Sequence, residues 1–98
     1  DRHVVAAAIH SGASLIVTFN LHDFPAHALK PYKLGAQHPD DFIVDLLDLH
    51  TPGVLEAAAN HRRTLKNPSK TVDEYLDTLQ SQGLTQSVAM LRRLALAL

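Results

Sequence analysis

The 98-residue chain has no cysteine and no tryptophan. The absence of cysteine excludes a disulfide framework, a thiolate-held metal and a cysteine nucleophile together, so any metal ion here must use oxygen or imidazole donors. A dominant charge of either sign is also lacking. Nine Lys and Arg nearly cancel ten Asp and Glu, and a balanced chain has no global field to gather nucleic acid or anionic lipid. Nucleic-acid contact must therefore be local. No apolar run approaches the roughly 18–20 residues of a membrane span, and Asp1-Arg2-His3 is not the basic and then apolar opening of a signal peptide. A cytoplasmic protein with no membrane partner is expected. There is no Gly-rich phosphate loop, which sets aside a nucleotide-binding fragment, and no internal repeat or flexible linker.

With 46% hydrophobic and 19% charged residues, the balance is that of a small globular domain. Val4, Val5, Ala8 and Ile9 follow helical spacing, and Ser11-Gly12 supplies a stop. The run from Ala13 to Thr18 is apolar without period-two polarity, which suits a strand buried on both faces of a parallel sheet. A loop from Phe19 to Pro25 follows, at the carboxyl end of that strand, where open α/β sheets place their ligands. A turn of helix at 25–29 and a strand around Lys33 to Gln37 complete an α/β part over residues 1–37.

Residues 38–98 read as a helical extension packed on that part. His38-Pro39 starts one helix and Thr51-Pro52 a second, each with Pro at the first helical position, and Asn67-Pro68 ends the second. Thr71-Val72-Asp73-Glu74 is a capping box, and Gly83 a stop. Leu84, Val88, Leu91, Ala95 and Leu98 form a four-three seam that calls for a partner helix. Because the expected strand lacks flanking elements and the seam lacks a partner, a homo-oligomer is expected.

Chemistry concentrates in the loop. Thr18, Asn20 and Asp23 could offer oxygen donors to a hard divalent cation, or they could form a local Asx-type turn. Asp1 could cap the first helix or stand at its start as a ligand. His61-Arg62-Arg63 with Lys66 and Lys70 holds four of the nine Lys and Arg within ten residues, which could track an RNA backbone or complement a helix dipole. His22 and His27 bracket Asp23 at a spacing unsuited to one helical face, and Asp41, Asp45 and Asp48 line one face of a helix, as a solvated face does.

Asp1 to Ala8, then Gly12-Ala13, then Val17-Thr18-Phe19-Asn20-Leu21-His22-Asp23-Phe24 resembles the second half of a PIN domain, the fold of VapC-type toxin ribonucleases. That family's pattern is an Asp opening a helix with an Ala-rich middle, a strand ending in Thr-x-Asn or Thr-x-Asp, and Asp-Phe shortly after. The entry Gln37-His38-Pro39-Asp40-Asp41-Phe42 and the helices behind it are similar to longer PIN proteins with an appended helical region. The resemblance implies the second half of a PIN-like three-layer parallel-sheet domain followed by a mainly helical extension. It implies Asp1 and Asp23 as catalytic and metal-ligating residues, Asn20 as a further ligand, Thr18 in support, and Mg²⁺ or Mn²⁺ as cofactor. The substrate implied is RNA, cut by an activated water, and the protein partner an antitoxin. The family's first Asp and its helix Glu are absent from this chain. Two carboxylates are too few to hold and use such ions, so a fragment inactive without an amino-terminal half is expected. The alternative from another class is a non-enzymatic helical module, in which residues 39–98 bind an antitoxin or a second subunit.

Overall fold

The computed structural model describes residues 2–94, which form a mixed α/β chain, mostly helical. They belong to two compact units, residues 1–42 and 43–98. No helix among the described residues is long and apolar enough to cross a membrane.

The first unit runs through helix α1 (Arg2–Ser11), strand β1 (Leu15–Val17), a 3₁₀ turn (Leu21–Asp23), helix α2 (Ala26–Leu29), a second 3₁₀ turn (Lys30–Tyr32) and strand β2 (Gly35–Gln37). Gly12 ends α1 at φ +75°. Its N–H donates to the Ile9 carbonyl at 3.2 Å, and the Ala13 N–H donates to the Ala8 carbonyl at 3.0 Å. These paired bonds are the Schellman stop that a glycine permits. The strands are parallel, with Ile16 opposite Ala36, and the crossover through α2 makes that direction possible. Thr18 N–H donates to the Gln37 carbonyl at 3.0 Å, extending the ladder past the end of β1.

Ala8, Ile16, Phe24, Leu29 and Leu34 form the core of this unit, with Val5 and Ala36 packed against it. The expectation of a strand buried on both faces is corrected here. Only Ile16 is buried, while Leu15 and Val17 are 37% and 41% exposed. The pleat sends alternate residues to opposite faces, and only one face of this two-stranded sheet is covered among the described residues. Val4 and Ile9 of α1 are likewise exposed.

Helix α3 spans Pro39–Thr64, its first turn belonging to the first unit, and is interrupted at His50, where φ is −151° and ψ 54°. The two helices expected on either side of Thr51-Pro52 are thus present as two stretches of one element. Thr51 does not cap the second stretch; its hydroxyl donates back to the Leu47 carbonyl. Pro52 has no N–H to continue the ladder, which accounts for a break at this point.

Helices α4 (Val72–Ser81) and α5 (Thr85–Arg93) follow. Leu47, Ala59, Tyr75, Leu76, Leu84, Val88 and Leu91 make the core of the second unit. The seam expected to seek a partner helix finds it within the unit: Leu84, Val88 and Leu91 are buried there, and α5 packs on α4. Ala95 and Leu98 lie outside the described residues.

Candidate active-site loop

The loop after β1 is organised by a chain of hydrogen bonds. The Asn20 N–H donates to the Thr18 hydroxyl oxygen at 3.0 Å. The Asp23 N–H donates to the Asn20 carbonyl at 3.2 Å and closes the 3₁₀ turn. The Asn20 side-chain amide then donates to Asp23 Oδ2 at 2.6 Å. A bond to a carboxylate is charge-assisted, so this contact holds both side chains in one arrangement. Thr18 is half-buried, whereas Asn20 and Asp23 are exposed. Since Thr18 is itself tied to Gln37 of β2, the loop is anchored to the carboxyl end of the parallel sheet.

Asp23 also lines a cavity of about 370 Å³ within the first unit, whose walls include Arg2, Val5, Phe24, Leu29 and Tyr32. Arg2 and Tyr32 carry no sequence signal that would associate them with Asp23; the packing of α1 and of the second 3₁₀ turn brings them there. Asp1 lies outside the described residues.

A carboxylate, an amide and a hydroxyl are hard oxygen donors of the kind Mg²⁺ or Mn²⁺ uses. Their number is the difficulty. Among the described residues no group of three or more His, Cys, Asp or Glu could hold a metal ion, and the Asn20 nitrogen faces Asp23, which leaves only its Oδ1 for an ion. His22 and His27 are exposed, as are Asp41, Asp45 and Asp48 along α3.

The basic segment belongs to the second unit. Arg62 Nη1 donates to the Lys70 carbonyl at 3.1 Å, and Arg63 Nη1 to Asn60 Oδ1 at 3.2 Å. Lys66 and Ser69 form an isolated antiparallel bridge. Nearby, His61 Nδ1 lies 2.8 Å from the Tyr75 hydroxyl. Fourteen residues separate that pair, and nothing local in the sequence announces it.

A family model described as the VapC50 C-terminal domain matches residues 39–93. Among curated proteins, "Putative ribonuclease VapC50" of Mycobacterium tuberculosis (strain ATCC 25618 / H37Rv) is 44% identical over 94 residues, covering 96% of this chain and 55% of that protein. The chain thus spans about half the length of the curated relative it matches. No solved structure matches it significantly.

Proposed function

The chain belongs to the VapC50 C-terminal domain family, and from that premise we propose that it forms part of a metal-dependent ribonuclease hydrolysing RNA phosphodiesters. In this reading residues 1–37 are the second half of a PIN-like three-layer domain, and an amino-terminal part supplies the rest of that domain. The exposed apolar residues Val4, Ile9, Leu15 and Val17 are the surface such a part would cover. The whole protein acts in the cytoplasm and is held in check by an antitoxin protein.

The observation that carries the reading is the hydrogen-bonded loop. It presents Asp23, braced by Asn20, at the carboxyl end of a parallel strand, where α/β sheets place their ligands. Asp23 and Asp1 are the metal-ligating carboxylates, Asn20 adds a neutral donor and fixes the Asp23 side chain, and Thr18 holds the Asn20 backbone. A divalent ion bound there would polarise the phosphoryl group and acidify a water. With two carboxylates from one half of the site, this chain alone binds the ion weakly and does not cleave.

A fluorescent RNA cleavage assay tests this. The chain alone should be inactive in Mg²⁺. Joined behind the amino-terminal part of the Mycobacterium tuberculosis relative, it should cleave, and Asp23→Asn should lower the rate by orders of magnitude with an unchanged circular dichroism spectrum. Full activity in Asp23→Asn would overturn the assignment.

One observation favours a second reading. The family match covers the helical residues 39–93, the segment that in this reading binds an antitoxin or a second subunit without cleavage. Tight binding of such a protein by the chain, with no cleavage in the joined form, would favour it.

A further inference from the structure

We propose that the hairpin closing α3, with Arg62, Arg63, Lys66 and Lys70, is a contact surface for the phosphate backbone of single-stranded RNA. The choice of RNA rests on the ribonuclease reading above; the surface itself does not.

Between Glu56 and Asp73 the chain has no acidic residue, yet it carries these four cations, while its overall formal charge is −1. The positive charge is therefore concentrated in one segment. A basic last turn often serves the helix dipole. Here two of the terminal carbonyls are met without it: the Thr64 hydroxyl donates to the His61 carbonyl at 2.7 Å, and the Leu65 N–H to the Arg62 carbonyl at 3.2 Å. Lys66 and Lys70 moreover lie beyond the end of the helix.

The segment is folded back on itself by the Lys66 and Ser69 bridge, and Arg62 fastens it to the helix through the Lys70 carbonyl. Arg62 is thus a positioning residue, while Arg63 and Lys66 are exposed. Arg92 provides the contrast, because its guanidinium is occupied by Asp73 and Asp77 at 3.2 and 2.6 Å. Neither Arg63 nor Lys66 forms an ion pair with a carboxylate among the described residues. Cations held on a fixed hairpin can meet successive phosphates and release their counterions, and a planar guanidinium matches phosphate oxygens.

Fluorescence anisotropy of the full chain with a labelled single-stranded RNA, in EDTA across a series of salt concentrations, tests this. EDTA removes any divalent ion, so binding is read independently of the Asp23 loop. Failure here leaves the cleavage result untouched, and failure there leaves this result untouched. The parent chain should bind with an affinity that falls as salt rises. Arg63→Gln with Lys66→Gln should flatten the slope of log affinity against log salt by about 1.4, the value for two phosphate contacts on a single strand. Should circular dichroism show the double variant misfolded, Lys66→Gln alone should flatten it by about 0.7. An unchanged slope and affinity in the folded variant, absence of salt-dependent RNA binding by the parent, or binding to phosphatidylserine vesicles but not to RNA would each overturn the proposal.

Discussion

Tyr75 on α4 buries all but 4% of its surface and meets His61 on α3 at 2.8 Å between hydroxyl and Nδ1, the two rings crossing edge to face at 5.4 Å. A buried tyrosine needs a partner for its hydroxyl, and His61 supplies it without leaving solvent. Tyr75→Phe should therefore cost only about 0.5–1.5 kcal/mol, since water can take the place of the lost partner at His61. Tyr75→Ala should cost about 3–5 kcal/mol through the cavity it leaves. Equal losses in urea denaturation of the two variants would contradict this.

Burial pushes the Tyr75 phenol above its ordinary value. The folded state then holds the proton more tightly than the unfolded chain, so the resulting stability is complete below about pH 10 and is lost as pH climbs through the raised value. The urea midpoint of the parent should fall above that pH, and Tyr75→Phe should fall less steeply.

At the start of α4 the capping box closes from both sides. The Thr71 N–H donates to Glu74 Oε1 at 3.0 Å, and the Glu74 N–H donates to the Thr71 hydroxyl at 3.2 Å. Hydrogen bonding of its carboxylate by Thr71, through the backbone N–H first and the hydroxyl second, lowers the Glu74 carboxyl below its ordinary value, with a smaller contribution from Lys70. The stabilisation is present above the unfolded value and is lost as pH falls through the folded one. Thr71→Ala should destabilise by about 1 kcal/mol. Carbon-detected NMR titration should show the Glu74 carboxyl rising partway toward normal in that variant, and an unmoved value would refute the hydroxyl's part in it.

Leu76 is 1% exposed in the second core, and Leu76→Ala should cost about 2–5 kcal/mol. Arg92 bonds two carboxylates, but Asp73 and Asp77 are 87% and 72% exposed. Solvent screening limits such pairs, so Arg92→Ala should cost under about 1 kcal/mol and less at high salt. A larger loss for Arg92→Ala than for Leu76→Ala would reverse this ranking of the two contacts.

If the joined protein cleaves as proposed, Asn20→Ala should reduce cleavage less than Asp23→Asn, because it would remove a neutral donor and a brace but no charge. Reduced activity accompanied by a higher Mg²⁺ requirement would fit that role. A loss equal to that of Asp23→Asn would make Asn20 as necessary as the carboxylate.

The features legible in the sequence are those decided within a few residues. Gly12 and Gly83 adopt positive φ at the helix ends they were expected to mark, and the Thr71 and Glu74 box closes as the spacing requires. The Thr18, Asn20 and Asp23 cluster was also legible, because one turn brings these residues together. The stop after Tyr32 was not. It uses the same paired bonds as a glycine stop, Leu34 N–H to the Leu29 carbonyl at 3.2 Å and Lys33 N–H to the Lys30 carbonyl at 3.0 Å, with Lys33 at φ +56°. A lysine gives no warning of such a turn, since the left-handed conformation is unfavourable for it and is maintained only by its surroundings.

By itself, then, the sequence determined where most helices start and stop, which loop follows the first strand, and where cations concentrate, because each depends on local propensity, capping and spacing. Tertiary structure decided which apolar residues are buried. Leu15 and Val17 have the apolar character of core residues, yet remain exposed on a two-stranded sheet, while Leu84, Val88 and Leu91 find their partners within the second unit. It also decided that His61 meets Tyr75, that Arg62 reaches Lys70 and that Arg2 shares a cavity with Asp23. Burial and these contacts depend on which distant segments arrive at the same place, and no short window of sequence contains that information.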